Sequence, residues 1–560
     1  MIKAAINRVK NRFLTPVSKP SAEKFNVVTE GKGHILFPEK ETVFYNPIQQ
    51  FNRDLSVTCI KAWDNLYGQP KQEQIRARKQ SKKRGPEGRT HENAKKRKLS
   101  DGREEITDQQ QLKHQRRPYI RILEALSATG LRAIRYAHEI PHVKEIIAND
   151  LLPAAVEAIQ RNVDDNEVGH IVKPNIDDAN VLMYRNKAER KRYHIIDLDP
   201  YGTVTPFVDA ALQNIEDDGL MLVTCTDLSV LAGNGYPEKC FALYGGVNMA
   251  GHDATHESAL RLVLNLLGQS AAKYRKSIEP VLSLSIDFYV RVFVKVRTNP
   301  LEVKNLQSNT MITYMCSGCG AYHNQRMGRQ SERSTKKGNT FVKYSLAQGP
   351  PVDQKCPYCG GAHHLTGPMY AGPLHNKEFI EEVLRINREE HTDEVYKTRK
   401  RIEGMLTLAQ NELATPFYFT PNRVSSILKF QVPSLKTVVA GLGSLGFSTS
   451  LTHAQPSSLK TDAPWDAIWY VMKRYCEDNQ LCKLDKMNTN SFGYKILTND
   501  AIGRGSQGKS QGKSQGSEYG EKLSFSPNEQ SGQIEALRKL KIVRFQENPE
   551  RNWGPKARPT

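Results

Sequence analysis

The chain has 560 residues, enough for two to four domains that each have their own hydrophobic core. Its net charge of +20 indicates an anionic partner, most simply a nucleic acid. It contains no run of 18 apolar residues, which argues against a transmembrane helix. Two Cys-x-x-Cys pairs among nine cysteines favour a bound metal in a reducing compartment over a secreted disulfide framework.

Residues 1–20 combine cations with apolar side chains at helical spacing, and no acid precedes Glu23. This pattern fits a mitochondrial targeting segment, and a short surface helix that touches substrate is the alternative. Residues 21–68 are expected to be folded, with two short strands and a helix from Leu55 to Leu66. Ahead of that helix lies the stretch Gln49–Asp54, which is unusually polar for a buried approach.

Residues 69–117 form a basic insert that is poor in apolar side chains and is expected to be disordered. Residues 71–117 alone hold 16 Lys and Arg against 7 Asp and Glu. Two basic clusters, Lys82–Arg84 and Lys95–Lys98, have the spacing of a bipartite nuclear import signal. A solvated charge run that grips phosphates is the alternative.

Strands and helices alternate from residue 118 to residue 299. Each strand candidate is short and apolar, and helical periodicity follows most of them. This order predicts a doubly wound, Rossmann-like α/β sheet with an antiparallel last strand. The cysteine pairs lie in residues 300–375, and a C-terminal α+β domain is predicted for residues 376–500. A flexible Gly/Ser/Gln linker is predicted for residues 501–520, and a C-terminal segment with one short helix for residues 521–560.

The first chemical motif is the turn Glu124–Arg132, which follows a strand and opens a helix. Small residues in this turn let a ligand approach the backbone at the helix N-terminus. Asp150 ends the next strand, 20 residues past Gly130, where an acid can hold ribose hydroxyls. The turn lacks the glycine pair of a pyrophosphate site, which favours S-adenosylmethionine over NAD. An ordinary turn with a surface acid is the alternative.

The second motif is Asp199-Pro200-Tyr201-Gly202, which follows the fourth predicted strand. An aromatic face can stack on a base, and a carboxylate can accept hydrogen bonds from an amine. The turn resembles the Asp/Asn-Pro-Pro-aromatic motif of amino-methyltransferases. A helix-capping acid beside a packing tyrosine is the alternative. The earlier turn Asp177–Asn180 is a weaker signal for adenine binding.

Four cysteines have the spacing of a structural zinc site: Cys316, Cys319, Cys356 and Cys359. Each pair can hold one side of a tetrahedral ion, and a glycine near each pair lets the turn close. Because sulfur fills all four positions, the zinc is expected to be structural. The 36-residue spacer is rich in Lys, Arg and Ser, and it is expected to be a solvent loop that can touch RNA. The other five cysteines show no pairing pattern and are expected to be packing residues or plain thiols.

In combination, several segments resemble the tRNA guanine-26 N2-dimethyltransferases, especially the fungal nuclear and mitochondrial type. The resemblance rests on FYNPIQQFNRDLS (44–56), LEALSATGLRAIRYAHEI (123–140), ANDLLPAAVEAIQRNV (148–163), DLDPYGTVTPFVDAA (197–211) and the cysteine pairs. It implies an enzyme that uses S-adenosylmethionine twice and forms dimethylguanosine in tRNA. It also implies a class I methyltransferase domain and a C-terminal domain that binds RNA.

The resemblance also assigns site residues. It implies that Phe44, Asp199, Pro200 and Tyr201 surround the target base, and that Arg53, Arg132, Asp150, Asp178 and Ala179 hold the cofactor. We expect a monomer without a membrane partner, located in the nucleus and the mitochondrion. A DNA or protein amino-methyltransferase and a tRNA-binding scaffold are the alternative functions.

Overall fold

The computed structural model describes residues 25–38, 45–83, 117–503, 519–540 and 542–545. Its strands are β1 (Phe25–Glu30), β2 (Gly33–Pro38), β3 (Ile120–Glu124), β4 (Val143–Asp150), β5 (Val172–Ile176), β6 (Tyr193–Leu198), β7 (Ile215–Cys225), β8 (Lys276–Ile286), β9 (Tyr289–Thr298), β10 (Thr310–Cys316), β11 (Tyr322–Arg326), β12 (Gly328–Ser334), β13 (Thr340–Leu346), β14 (His363–Tyr370), β15 (Thr449–Leu451) and β16 (Leu459–Thr461).

The helices are α1 (Gln50–Trp63), α2 (Gln69–Lys83), α3 (Leu131–Glu139), α4 (Pro153–Asp165), α5 (Ala179–Ala188), α6 (Val208–Asn214), α7 (Leu228–Leu231), α8 (Pro237–Tyr244), α9 (Thr255–Ala272), α10 (Pro300–Val303), α11 (Lys377–Glu389), α12 (Arg399–Asn411), α13 (Pro421–Leu428), α14 (Leu435–Ser444), α15 (Trp465–Asp478), α16 (Phe492–Leu497) and α17 (Glu529–Lys539). A π-helical turn, Asp64–Gly68, joins α1 to α2, and 3-10 turns lie at Pro47–Gln49, Thr205–Phe207 and Leu484–Lys486.

The central sheet has the strand order β5-β4-β3-β6-β7-β9-β8. The strands from β5 to β7 in this order are parallel, and β9 runs antiparallel to both β7 and β8. The strand order therefore reverses between β3 and β6, and ligands bind at such a switch point outside the carboxyl ends of the strands. The predicted doubly wound sheet with an antiparallel last strand is confirmed.

Helices cover both faces of the sheet. Apolar side chains of α1, α3, α4, α11 and α12 form a core on one face. Those of α5, α6 and α9 form the core on the other face. Because α11 and α12 pack into the first core, the predicted domain boundary at residue 376 divides a region that is packed as one unit.

A third core joins the cysteine pairs to the C-terminal helices. It contains all four zinc-candidate cysteines together with apolar side chains of α13 to α17 and of the β15–β16 pair. The contact is close, because a Cβ on Gly318 would lie 2.7 Å from the ring of Phe492. The cysteine pairs therefore brace the C-terminal helices.

Three expectations about local structure were wrong. Residues 69–83 are not disordered but form α2, since they are mostly good helix formers and Lys71 Nζ lies 3.1 Å from Asp218 Oδ2. The rest of the basic insert, residues 84–116, lies outside the described residues. The spacer between the cysteine pairs contains the β12–β13 hairpin. Cys476 and Cys482 form a disulfide, because the chain turns back after α15 and brings their Cα atoms to 5.5 Å.

In the part of the chain that the structure describes, no helix combines the length and the apolar character that crossing a membrane requires.

Candidate functional site

The predicted site residues gather at the carboxyl edge of the parallel strands. Asp150 is the last residue of β4, Asp178 lies just beyond β5, and Asp199 follows β6. The turn around Gly130 joins β3 to α3. Because β3, β4, β5 and β6 are neighbours in the sheet, the topology brings these four turns to one edge.

The turn Asp199–Gly202 is fastened to the end of the adjacent strand β7. Gly202 donates its N–H to Thr226 Oγ1 at 2.7 Å, and its carbonyl accepts from the N–H of Thr226 at 2.9 Å. Gly202 has a φ of +81°, which a side chain would strain. Pro200 is buried, whereas Tyr201 is 46% exposed. The turn thus presents an aromatic ring on a rigid backbone.

The carboxylate of Asp199 uses its two oxygens differently. Oδ2 accepts a hydrogen bond from Arg132 and lies 3.5 Å from Nδ2 of Asn52. Oδ1 accepts no hydrogen bond from the described residues, and the side chain is 20% exposed. One oxygen is therefore held while the other is available to a ligand.

A buried charge network supports this arrangement from below. Arg291 donates to both carboxylate oxygens of Asp197, at 2.9 and 3.1 Å, and the hydroxyl of Tyr136 donates to the same carboxylate at 2.6 Å. Burial alone would raise the pKa of Asp197, but Arg291 and Arg132 hold that pKa below its ordinary value. Asp197 is therefore a buried, ionised carboxylate beneath the site.

Arg132 links Asp197 to Asp199. Its guanidinium lies 3.5 Å from Asp197 and 3.6 Å from Glu124, and the side chain is only 6% exposed. Burial raises the pKa of Glu124 to about 8, although Arg132 acts in the opposite direction. In the structure the guanidinium of Arg132 contacts Asp199, and the cofactor contact that the resemblance implies for Arg132 stays a prediction.

Helix α1 contributes site residues that no sequence motif predicted. Asn52 donates to Thr224 Oγ1 at 3.4 Å, and Ser56 Oγ accepts from Arg291 at 2.7 Å and from Arg132 at 3.2 Å. The unusual polarity of Gln49–Asp54 was the signal that could have found Asn52. Ser56 and Arg291 have no comparable local signal, because only the fold brings them together.

The guanidinium of Arg53 contacts Glu30 and not Asp199. Its guanidinium forms two hydrogen bonds to Glu30, at 2.6 and 2.5 Å, and donates to the carbonyl of Asn46 at 3.1 Å. Burial alone would raise the pKa of Glu30, but Arg53 and Arg135 lower it to about 2. Arg53 therefore ties α1 to the β1–β2 hairpin. Phe44 lies outside the described residues.

The turn after β3 forms an open backbone shelf. Ala128 and Gly130 both have left-handed backbone angles, with φ of +49° and +76°. Asp150 accepts the N–H of Ala128 at 2.9 Å and the N–H of Leu152 at 3.0 Å. A carboxylate has about four lone-pair positions, so Asp150 keeps capacity for two hydroxyls of a ribose.

An apolar patch adjoins this shelf. Asp178 caps α5 through Oδ1, which accepts from the N–H groups of Asn180 and Val181 at 2.8 and 3.1 Å. Large apolar side chains next to these acids are exposed: Leu151, Leu152, Ile176 and Val181. Asn180 Oδ1 is buried without a hydrogen-bond partner among the described residues. A planar base with an exocyclic amine fits such a surface, because its faces are apolar and its edge donates hydrogen bonds.

The four predicted cysteine ligands form one cluster. Their sulfur atoms all lie within 4.8 Å of one another, with Cys316 to Cys359 at 3.4 Å and Cys319 to Cys356 at 3.7 Å. Zinc–sulfur bonds of about 2.3 Å in a tetrahedron place the sulfurs about 3.8 Å apart, so the cluster could bind a zinc ion. A Cβ on Gly361 would lie 3.0 Å from the sulfur of Cys316, which explains the glycine.

A second group of metal-ligand side chains does not fit a metal. His375, Glu412 and His453 have ligand atoms within 4.8 Å of one another. However, the ammonium of Lys460 lies 3.0 Å from Glu412, and backbone N–H groups of β8 donate to both imidazoles, at 3.4 Å to His375 and 3.2 Å to His453. The group is therefore a buried polar junction between β8 and the C-terminal helices.

Comparisons with known proteins agree with this architecture. The family model described as N2,N2-dimethylguanosine tRNA methyltransferase matches residues 19–473. The mitochondrial tRNA (guanine(26)-N(2))-dimethyltransferase of Saccharomyces cerevisiae is 67% identical over 566 residues, covering 100% of this chain and 97% of that protein. The tRNA (guanine(26)-N(2))-dimethyltransferase of Homo sapiens is 36% identical, covering 96% of this chain and 78% of that protein. The structure of Trm1 from Pyrococcus horikoshii with S-adenosyl-L-methionine has a TM-score of 0.58 and 24% identity, covering 80% of this chain and 99% of that one, and supports the fold.

Proposed function

Since the chain belongs to the N2,N2-dimethylguanosine tRNA methyltransferase family, we propose that it transfers two methyl groups from S-adenosylmethionine to the exocyclic N2 of guanine-26 in tRNA. The observation that carries this proposal is the turn after β6. It combines an available carboxylate oxygen, Oδ1 of Asp199, with the exposed ring of Tyr201. An amine acceptor beside a stacking surface is what a guanine edge requires.

The residues at the edge of the sheet fit the cofactor. Asp150 is the proposed acceptor for the ribose hydroxyls, and Asp178 with the backbone of Ala179 is proposed to hold the adenine over the exposed apolar patch. The left-handed backbone at Gly130 supports this fit, because it opens the shelf for a close approach. S-adenosylmethionine supplies an electrophilic methyl group when it is bound there.

Asp199 is proposed to orient the amine. The exocyclic amine of guanine is conjugated and poorly nucleophilic, so its approach must be fixed by hydrogen bonds and stacking. Oδ1 of Asp199 accepts one N–H, while Tyr201 and Phe44 stack on the base and Pro200 fixes the turn. Monomethylguanine still carries one N–H on N2, so the same oxygen can orient the amine for the second transfer.

The two arginines receive different roles. Arg132 is proposed as a positioning residue, because its guanidinium holds Oδ2 of Asp199 and leaves Oδ1 free for the amine. Arg53 is carried over from the family as a contact of the cofactor carboxylate. The structure pairs it with Glu30, so that contact requires Arg53 to share its guanidinium between the two carboxylates.

A transfer assay with labelled S-adenosylmethionine tests the proposal. The protein is incubated with total RNA, DNA or histone, and the methylated product is identified after digestion. We expect dimethylguanosine in tRNA. Label found only in DNA or protein would instead favour the other amino-methyltransferases, and no label at all would favour a tRNA-binding scaffold.

Substitutions at Asp199 test the mechanism. Asp199→Ala should abolish transfer and leave tRNA affinity nearly unchanged, because binding energy comes largely from phosphate contacts elsewhere. Asp199→Asn is the matched control and should retain part of the activity, since an amide oxygen still accepts a hydrogen bond. A parallel loss of tRNA binding in Asp199→Ala would reassign Asp199 to folding or docking.

Location and assembly complete the proposal. The two basic clusters in the insert support nuclear import, and the basic segment 1–20 supports mitochondrial import. Fluorescent fusions that lack either segment test this, because each deletion should remove one location. We also propose that the protein acts as a monomer, which light scattering of the purified chain tests directly.

A further inference from the structure

The β12–β13 hairpin is a ribbon with a charge asymmetry that neither the fold nor the catalytic site explains. Residues 328–346 hold five cations, Arg329, Arg333, Lys336, Lys337 and Lys343, against a single acid, Glu332. The cations are exposed, and none of them forms an ion pair with the residues that the structure describes. Such an excess needs either solvent or an anionic partner.

The strand register places the charges on one side. Arg333 lies opposite Phe341, Arg329 opposite Ser345, and Ser331 opposite Lys343. Directly opposed residues in an antiparallel pair share a face, and successive residues alternate between faces. These six residues therefore form one face, which we call the basic face. Glu332 falls on the other side of the ribbon, with Val342.

The opposite face is anchored to the body of the protein. The hydroxyl of Tyr344 donates to Asn305 Oδ1 at 2.9 Å, and the side-chain amide of Gln330 donates to the same oxygen at 3.0 Å. Asn305 lies just after α10, the short helix that follows β9 of the central sheet. An isolated two-stranded hairpin is only marginally stable in water, so these contacts stabilise the ribbon. Since they lie on the face opposite the basic face, the basic face points outward.

An exposed aromatic side chain completes the basic face. Phe341 is 50% exposed and lies between Arg333, its cross-strand partner, and Lys343, two residues along. Charges that only prevented aggregation would not need an exposed phenyl ring beside them. Cations with an interleaved aromatic ring suit a polynucleotide, whose phosphates take the cations and whose bases stack.

We propose that the basic face of the β12–β13 ribbon is a tRNA-binding surface, an inference that rests on the proposed function and adds a substrate contact outside the methyl-transfer site. Arg329, Arg333 and Lys343 bind phosphates, and Phe341 packs against a base or a ribose. Lys336 and Lys337 extend the charge to the tip of the ribbon. The surface sets affinity and docking, not the rate of methyl transfer.

The test uses the full-length protein and fluorescently labelled tRNA, with affinity measured across a range of salt concentrations. The triple variant R329Q/R333Q/K343Q should bind about tenfold more weakly near physiological salt. The slope of log affinity against log salt concentration should become shallower by up to about 2.7, which is about 0.9 for each of the three phosphates that the variant no longer binds. Its KM for tRNA should rise while kcat at saturating tRNA stays unchanged.

Matched variants isolate the face. R329K/R333K keeps the charge and should retain most of the affinity, and Glu332→Gln on the opposite face should not weaken binding. Phe341→Ala should weaken binding severalfold, whereas Val342→Ala, similarly exposed on the opposite face, should not. If the triple variant loses zinc or thermal stability, the comparison of Phe341→Ala with Val342→Ala decides.

Wild-type affinity and salt dependence in the triple variant would overturn the inference. Polyglutamate serves as a probe for an acidic protein partner. If the triple variant binds tRNA as the wild type does but loses polyglutamate binding, the basic face belongs to an acidic protein and the inference is overturned. Failure of the proposed function gives a different result, because the wild-type protein itself would then transfer no methyl group to tRNA.

Discussion

Replacement of Arg291 by Met should strongly destabilise the catalytic domain. Arg291 is fully buried, and it supplies two hydrogen bonds to Asp197 as well as bonds to Thr224 and Ser56 at 2.7 Å. Removing one partner of a buried ion pair typically costs about 3–5 kcal/mol. Tyr136 and Arg132 still contact Asp197 in the variant, so we expect a loss of about 3 kcal/mol.

That loss corresponds to a fall in Tm of about 6–12 °C for a domain of this size. Thermal unfolding measures it, and hydrogen exchange of peptides from β6 and β9 assigns it to the catalytic domain. The double variant D197N/R291M should lose less stability than the two single variants together, by at least about 1 kcal/mol, because it leaves no unpaired charge.

Arg297 offers the matched control on the same strand. Its guanidinium lies 2.9 Å from Asp218, but it is 43% exposed, and exposed pairs contribute at most about 1 kcal/mol. Arg297→Met should therefore change Tm only slightly. Equal effects of the two substitutions, or a loss below about 1 kcal/mol for Arg291→Met, would refute the view that Arg291 balances the charge of Asp197.

Three further predictions concern protonation, metal binding and backbone geometry. Burial raises the pKa of Glu124 to about 8 in the folded protein, so the stability that its neutral form contributes should be lost as pH rises from about 5 to 8. Glu124→Gln should therefore show a flatter profile of Tm against pH over that range. Identical profiles for the variant and the wild type would contradict the raised pKa of Glu124. Cys356→Ser should lose zinc and lower the Tm of the C-terminal helices, whereas Cys240→Ser, in a buried thiol outside the cluster, should keep full zinc by elemental analysis. Gly130→Ala should cost about 1–2 kcal/mol in thermal unfolding, since φ is +76° and the new Cβ would lie 3.1 Å from Ile159; a Tm equal to that of wild type would contradict this strain.

Sequence patterns predicted the elements that depend on local chemistry. The apolar run before Asp199, the turn before Gly130 and the acid at Asp150 each lie at the end of a strand, as expected from the alternation of strands and helices. The cysteine spacing predicted the four-sulfur cluster, because each knuckle closes within a few residues. Prediction failed for the disulfide between Cys476 and Cys482, whose spacing matches no familiar pattern, and for the helix over residues 69–83, where high charge and low apolar content were given more weight than helix propensity.

Local sequence was sufficient for the fold class, for the edge of the sheet at which the candidate site residues gather, and for placing an acid and an aromatic ring in the turn after β6. These features follow from hydrophobic periodicity and turn chemistry, which act over a few residues. The folded chain was needed to see that Arg132 holds one oxygen of Asp199, that Arg291 neutralises Asp197, and that the cations of the β12–β13 ribbon share one outward face. Each of these depends on strand register or on contacts between distant segments, and the free energy that fixes the two arginines comes from burying opposite charges together.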